Sequence, residues 1–320
     1  MNTLSIIKTF IFYLIVLLAI IFSFFNLEYS RDFKDYNFEY NNISESRFEP
    51  LFLLIFHISK NILELSLQSL FFFISTITLL LKLYIARGLA TTSNKIIFFT
   101  IIYIFSFYLL HDLTQQRLSI AVCFIILSIP YTIRKNLFTS ILLIITATLF
   151  HLSSIIFIVL PILSYFYKSN RFTLIFSLFI LMTILGFITF EYSADFIMSM
   201  RGSTTGYFNN WHNYSINMFT PPKILLYIII FTFLVKNIKN NNYNMHIMFF
   251  YTLLPLCISI IFTKSPEISI RFWDLSALFS LFLFLLNPIK KTFFDYLILL
   301  SFLLLFTYLI YGFIFYNPLF

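Results

Sequence analysis

Charge is what this 320-residue chain has least of. Asp, Glu, Lys and Arg make up only 11% of it, while 60% is hydrophobic. A soluble domain carries roughly 25% charged residues, and no soluble fold of this length could hide so many Phe, Ile and Leu side chains. Cysteine is nearly absent too. Cys123 and Cys257 both lie in apolar runs, where a thiol behaves as a small hydrophobe and a disulfide is not expected. No Cys/His spacing matches a zinc site. No small-residue cleavage site follows the first apolar run, Thr9 to Phe25, so the N-terminus is predicted to keep a helix rather than lose a signal peptide. There is no fixed-period repeat and no low-complexity linker.

What is present is one apolar segment after another. A bilayer-spanning helix needs about 20 mostly apolar residues. Eleven segments approach this: 7–25, 65–84, 96–110, 117–133, 136–150, 152–167, 172–190, 223–235, 245–263, 272–287 and 293–314. The expected fold is all-α, a single polytopic transmembrane bundle over residues 1–320 with about eleven spans. With the N-terminus inside, twelve of the 21 basic residues fall at inner ends, Lys82 and Lys95 among them, and nine at outer ends. Basic pairs at the short inner loops agree with the positive-inside rule. The net charge of +8 then reflects basic cytoplasmic loops, and nucleic acid is not implied. Two long polar loops fall outside, residues 26–50 and 191–222. Residues 51–64 read as a short helix lying in the outer interface.

Several polar residues stand out against this background. In H-D-L-T-Q-Q-R-L-S, residues 111–119, Asp112 and Gln115 resemble a capping box, and Gln116 can share a helix face with Asp112. Capping does not account for Arg117, read as a turn inside the next helix. An Arg at depth costs at least about 2.5–3.5 kcal/mol and faces a partner or a watery cavity; snorkelling outward is the plainer alternative. His151, in F-H-L-S-S, is either a hydrogen-bonded connector at an outer turn or a group that orients phosphate or takes a proton. In S-I-R-F-W-D, Arg271 enters a helix from the outer side, with Asp274 three residues on as a pairing partner and Trp273 as an interfacial anchor. Glu49 precedes Pro50 at a helix start, where an acid is favourable in any case. Arg31, Asp32 and Arg201 lie in the long outer loops, where solvated charge is the default reading. Tyr36, Tyr40, Tyr207, Trp211 and Tyr214 are candidates for stacking on sugar rings. Arg forks pointing outward from different helices, with acids and a His nearby, suit phosphate and diphosphate.

These residues resemble the EpsG family of Wzy-like polysaccharide polymerases. The resemblance rests on Q-Q-R-L-S-I-A at 115–121, F-H-L-S at 150–153, the acidic first loop ending in R-F-E-P-L-F at 47–52, and Arg271 opening a late helix. It runs from about Glu28 to Phe279, with Leu118 where the family often has Gln. It implies an enzyme of the bacterial inner membrane that joins lipid-linked oligosaccharide units on the extracytoplasmic face. The donor would be a chain on undecaprenyl diphosphate, the acceptor the terminal sugar of a new unit. On this reading Arg117 and Arg271, with Arg201 third, neutralise the leaving diphosphate. Glu49 and His151 are the candidate bases, and Arg31, Asp32 and Gln116 are further substrate contacts. No cofactor is expected; Mg²⁺ is an alternative neutraliser, but no clustered carboxylates argue for it. A flippase and a chain-length regulator are the implied protein partners. An O-antigen ligase is chemically the nearest rival. A flippase or other transporter would show charged or broken helices near mid-membrane in paired halves, and no half-repeat is evident. The O-acyltransferase family of similar size carries a basic motif with a His in its first helix, which residues 9–25 lack.

Overall fold

The computed structural model describes residues 3–26, 32–43, 46–189, 217–240, 242–263, 265–287 and 293–315. Among them the regular elements are all helical, without strands. Within the described residues, each of the eleven apolar segments lies mostly on helical backbone. Among the described residues, four helices are long and apolar enough to cross a membrane: Leu67–Leu89, Gln116–Ile133, Tyr243–Ile261 and Ile268–Leu286. Shorter apolar stretches include Ser93–Tyr108, Leu137–Phe150, Leu152–Phe166 and Phe172–Ile188.

The chain packs as two units, residues 1–165 with 306–320, and residues 166–305. The first begins with α1 (Thr3–Asn26), α2 (Phe33–Asn41), α3 (Pro50–Asn61) and α4 (Leu67–Leu89). It continues through α5 (Ser93–Ile102), a π-helix over Tyr103–Asp112, α6 (Gln116–Ile133) and α7 (Leu137–Phe150). A 3₁₀ turn over Leu152–Ile158 leads into α8 (Val159–Phe166). Helix α2 falls within the segment read as a polar loop. Its mixture of Tyr, Asn, Lys and acids looks solvated, but Tyr36 and Tyr40 turn inward.

Local sequence explains the boundaries. The Ser66 side chain accepts from Ser69 N–H at 3.1 Å and caps α4. Asn136 does the same for α7, accepting from Thr139 N–H at 3.2 Å. The tight α6–α7 turn is closed by Lys135 at φ 58°, with Asn136 N–H donating to Tyr131 O at 2.9 Å, the pattern that ends helices in a left-handed residue. Pro50 fits the first position of α3, where no backbone donor is needed.

The second unit holds α9 (Phe172–Ile188), α10 (Pro221–Asn240), α11 (Tyr243–Ile261), α12 (Pro266–Leu286) and most of α13 (Phe293–Phe315). Its core is the α11–α12 pair. Ser276 Oγ donates to Thr252 O and Ser269 Oγ to Ser259 O, both at 2.8 Å. Such small hydroxyl residues let apolar helices approach closely where the hydrophobic effect offers no drive between them. Lys236 on α10 pairs with Asp295 at the start of α13. Both cysteines are buried and free. On the outside of both units large apolar side chains are exposed, Phe138, Leu142, Leu174, Leu178 and Phe187 among them, as expected of surfaces that face lipid.

Candidate functional site

Three sequence-distant stretches meet in the first unit. Glu49 sits immediately before α3 in an extended conformation, and its side chain does not cap that helix. Instead Glu49 Oε2 accepts from Arg117 Nη1 at 2.7 Å, across 68 residues of chain. Glu49 Oε1 accepts from the Leu152 backbone N–H at 3.2 Å, across 103 residues. His151 Nδ1 stands 3.8 Å from the same oxygen. The turn that carries His151 is rigid, because its N–H donates to Ala147 O at 2.9 Å and its carbonyl accepts from Ser154 N–H at 3.0 Å.

Arg117 occupies the second position of α6, closer to the helix start than the sequence suggests. Its guanidinium lies over the Phe48 ring, 4.0 Å from the centroid, and 5.9 Å from that of Tyr36. Its Nε is buried without a hydrogen-bond partner among the described residues, as are Gln116 Oε1 and Ser154 Oγ. The guanidinium is therefore gripped on one side by a carboxylate and aromatic faces, and retains donor capacity.

Burial acts to raise the Glu49 carboxyl, but the Arg117 charge, the His151 ring and the Leu152 N–H together outweigh it and hold it below the usual carboxylate range. A carboxyl depressed in the folded state contributes stability above its unfolded value, and that contribution fades as pH falls through the folded value. Acidification below about pH 4.3, the ordinary Glu value, is thus expected to lower the thermal midpoint. Glu49→Gln should flatten that part of the profile, as measured by unfolding of the detergent-solubilised protein between neutral and acid pH. An unchanged slope would mean that other carboxylates carry it.

The residues offered as sugar platforms need correction. Tyr36 is buried, packing edge-on against Phe71, 4.9 Å between centroids, and at a tilt against Phe48 at 5.2 Å. Tyr40 meets Phe56 at 5.0 Å and donates to Leu65 O at 2.8 Å. Both build the aromatic layer under α2 and have no face left for a sugar. Burial raises the hydroxyl pKa of each; for Tyr36 the nearby Arg117 acts against it.

Asp112 also departs from its expected role. It does not cap α6; the N-cap residue is Gln115, which makes no side-chain cap bond. The Asp112 carboxylate is fully buried and accepts from Lys82, from Ser119 Oγ and, at 2.6 Å, from Tyr103 Oη. Lys82, read as an inner-end basic residue, is fully buried in this network rather than exposed at a helix end; Lys95 is buried as well. Gln116, also buried, donates from Nε2 to the Asp112 carbonyl at 2.5 Å. Lys82 and Tyr103 were not anticipated as a pair, although a lysine in mid-run between Leu81 and Leu83 was a visible signal.

Asp32 is half-buried at the N-terminus of α2, without a side-chain cap bond. Arg31, Arg201, Tyr207, Trp211 and Tyr214 lie outside the described residues. Arg271 is half-buried in α12 of the second unit, and no carboxylate comes within 4 Å of it among the described residues. The expected pairing with Asp274 is not a contact within 4 Å, although the Arg271 charge still acts on the buried Asp274 carboxyl. Trp273 is buried rather than interfacial, its Nε1 unpartnered among the described residues. A buried Tyr167–His246 hydrogen bond, 2.6 Å between Oη and Nδ1, escaped the sequence reading. Among the described residues no three His, Cys, Asp or Glu are grouped to hold a metal ion.

The EpsG family model matches residues 8–319, nearly the whole chain. The chain belongs to the EpsG family. That is a family of Wzy-like polysaccharide polymerases, so this EpsG-family protein is a membrane enzyme of polysaccharide biosynthesis. No curated protein and no solved structure matches it. The three motifs that carry the resemblance in the first half of the chain are the ones the fold brings together at Glu49, Arg117 and His151.

Proposed function

We propose that the protein joins undecaprenyl-diphosphate-linked oligosaccharide units into a surface polysaccharide, on the extracytoplasmic face of a bacterial inner membrane. The observation that carries this is the Arg117–Glu49–His151 constellation, drawn from three distant motifs of a polymerase family. In the reaction an acceptor hydroxyl oxygen bonds to the anomeric carbon of the donor sugar. The bond from that carbon to the diphosphate oxygen breaks, and undecaprenyl diphosphate leaves with the electron pair. Arg117 neutralises the leaving diphosphate, the step where charge stabilisation matters most. His151, in its neutral form, takes the hydroxyl proton on its imidazole. Glu49, held ionised by its neighbours, is a weak base; it orients Arg117 and the His151 ring instead. Arg271 and Arg201 carry the diphosphate assignment from sequence alone, each open to its own Ala substitution.

Purified protein in liposomes, given a synthetic undecaprenyl-diphosphate-linked repeat unit, should yield a ladder of chain lengths. A single transfer onto an added acceptor glycolipid, with no ladder, would identify a ligase instead. Flip of the lipid-linked unit across the bilayer without transfer would identify a transporter.

Sidedness has its own test. Single cysteines at Ser44 and Ser203, in a background lacking Cys123 and Cys257, should react with a membrane-impermeant thiol reagent in intact spheroplasts. Asn170→Cys, at an exposed position between Lys168 and Arg171, should react only after lysis. Labelling of Asn170→Cys in intact cells would invert the topology.

A further inference from the structure

We infer that the buried Lys82–Asp112 ion pair, with Tyr103 and Ser119, is a positioning device for Arg117: residues that touch no substrate but determine where the guanidinium stands. Their value for catalysis rests on the polymerase reading above; their effect on the position of Arg117 does not.

Stability alone gives no reason for this pair. Burying two charges costs several kcal/mol each in desolvation, and apolar groups of similar size often do as well or better. Inside an apolar bundle the alternative is still more favourable to hydrocarbon. What the pair adds is a single allowed arrangement of three elements. Lys82 comes from α4, Asp112 from the end of the π-helix, and Ser119 from the first turn of α6. Lys82 Nζ also donates to Ser119 Oγ at 3.0 Å and lies 5.6 Å from the Tyr103 ring centroid.

The network acts on both sides of Arg117. Gln116 donates to the Asp112 carbonyl and Ser119 to the Asp112 carboxylate. Arg117 lies between these two anchors in sequence. The first turn of α6 has no side-chain cap to hold it, so Asp112 supplies its fixed point. The π-helix that delivers Asp112 is ten residues long, an uncommon and loosely wound form. Tyr103 at its start bonds to Asp112 at its end, a strut across the whole segment. If the strut gives, Asp112 shifts, and α6 carries Arg117 away from Glu49 and Phe48. A misplacement of about 1 Å at a reacting centre can cost on the order of 100-fold in rate.

Tyr103→Phe is the informative variant, because it removes one hydrogen bond and keeps the ring. Two readouts follow it in the full-length protein in liposomes. The first does not depend on enzymatic activity: modification of Arg117 by phenylglyoxal, an arginine-selective reagent, read by peptide mass spectrometry. Arg117 should react several-fold faster in the variant, while exposed Arg134 reacts as before. Equal Arg117 reactivity overturns the inference. The second is turnover. Tyr103→Phe should lower kcat by about 10- to 100-fold with little change in KM. The same change in an Arg117→Lys background should add almost nothing, since coupled sites are non-additive. Wild-type kcat in Tyr103→Phe, or an effect that multiplies with Arg117→Lys, overturns the inference. Inactive wild-type protein with faster Arg117 modification in the variant would instead count against the polymerase reading alone. Should Tyr103→Phe fail to accumulate, the neutral pair Lys82→Met/Asp112→Asn takes its place in both assays, with the same expected and overturning results.

Discussion

Cells whose only copy carries Arg117→Ala are expected to display surface glycan of a single repeat unit. Losing one preorganised donor to developing negative charge typically costs about 100- to 1,000-fold in rate, enough to erase long chains. The variant also strips the closest partner from a buried carboxylate, so Glu49 would be left with the Leu152 N–H and the His151 ring. Arg117→Lys separates the two effects. It keeps a cation beside Glu49 but loses the planar fork and the stacking on Phe48. Shortened chains at normal protein abundance in Arg117→Lys would assign the defect to phosphate recognition. Normal chain length in Arg117→Ala, with immunoblot abundance unchanged, would remove Arg117 from the reaction.

Removing one member of the Lys82–Asp112 pair is expected to have the largest effect on stability. Lys82→Met leaves a fully buried carboxylate without its cation, and Asp112→Asn leaves a fully buried ammonium without its anion. Breaking a buried pair in this way costs about 3–5 kcal/mol, a large part of what holds a typical domain together, about 5–15 kcal/mol. Each single variant should be scarce in membranes, with a lowered thermal midpoint in detergent. The double variant, with no stranded charge, should recover much of the abundance. Single variants as abundant as the wild type would mean that water or lipid headgroups reach the site.

How much of this was legible in sequence differs from residue to residue. Glu49, Arg117 and His151 each stood out because a charged or titratable group beside an apolar run is costly and needs a reason. That Glu49 joins the other two was not legible, because 68 residues separate it from Arg117 and 103 separate it from Leu152. Asp112 was visible but assigned the wrong partner. The spacing to Gln115 matches a capping box, yet a capping box depends on local backbone. Here the backbone leaves the α-helical path through a π segment that no spacing rule detects. Lys82 was counted with inner loops because charge in a helical run is read by its nearest end. Tyr36 and Tyr40 looked like surface aromatics because their neighbours are polar. On α2 their shared face meets Phe71, Phe56 and Phe48, which the one-dimensional pattern does not reveal.

By itself the sequence determined that this is an all-helical membrane protein. Hydrocarbon satisfies no backbone hydrogen bonds, so apolar segments of this length must become helices. Local side chains also set the starts of α4 and α7, where Ser66 and Asn136 each bond the backbone three residues on, although no cap was read there in the sequence. Only the tertiary structure decided which charges pair. Lys82 with Asp112, Arg117 with Glu49, and Arg271 without a carboxylate within 4 Å among the described residues are outcomes of helix packing. A charge in an apolar bundle takes whichever partner the packing brings within reach, and that partner is set by the approach of whole helices rather than by neighbours along the chain.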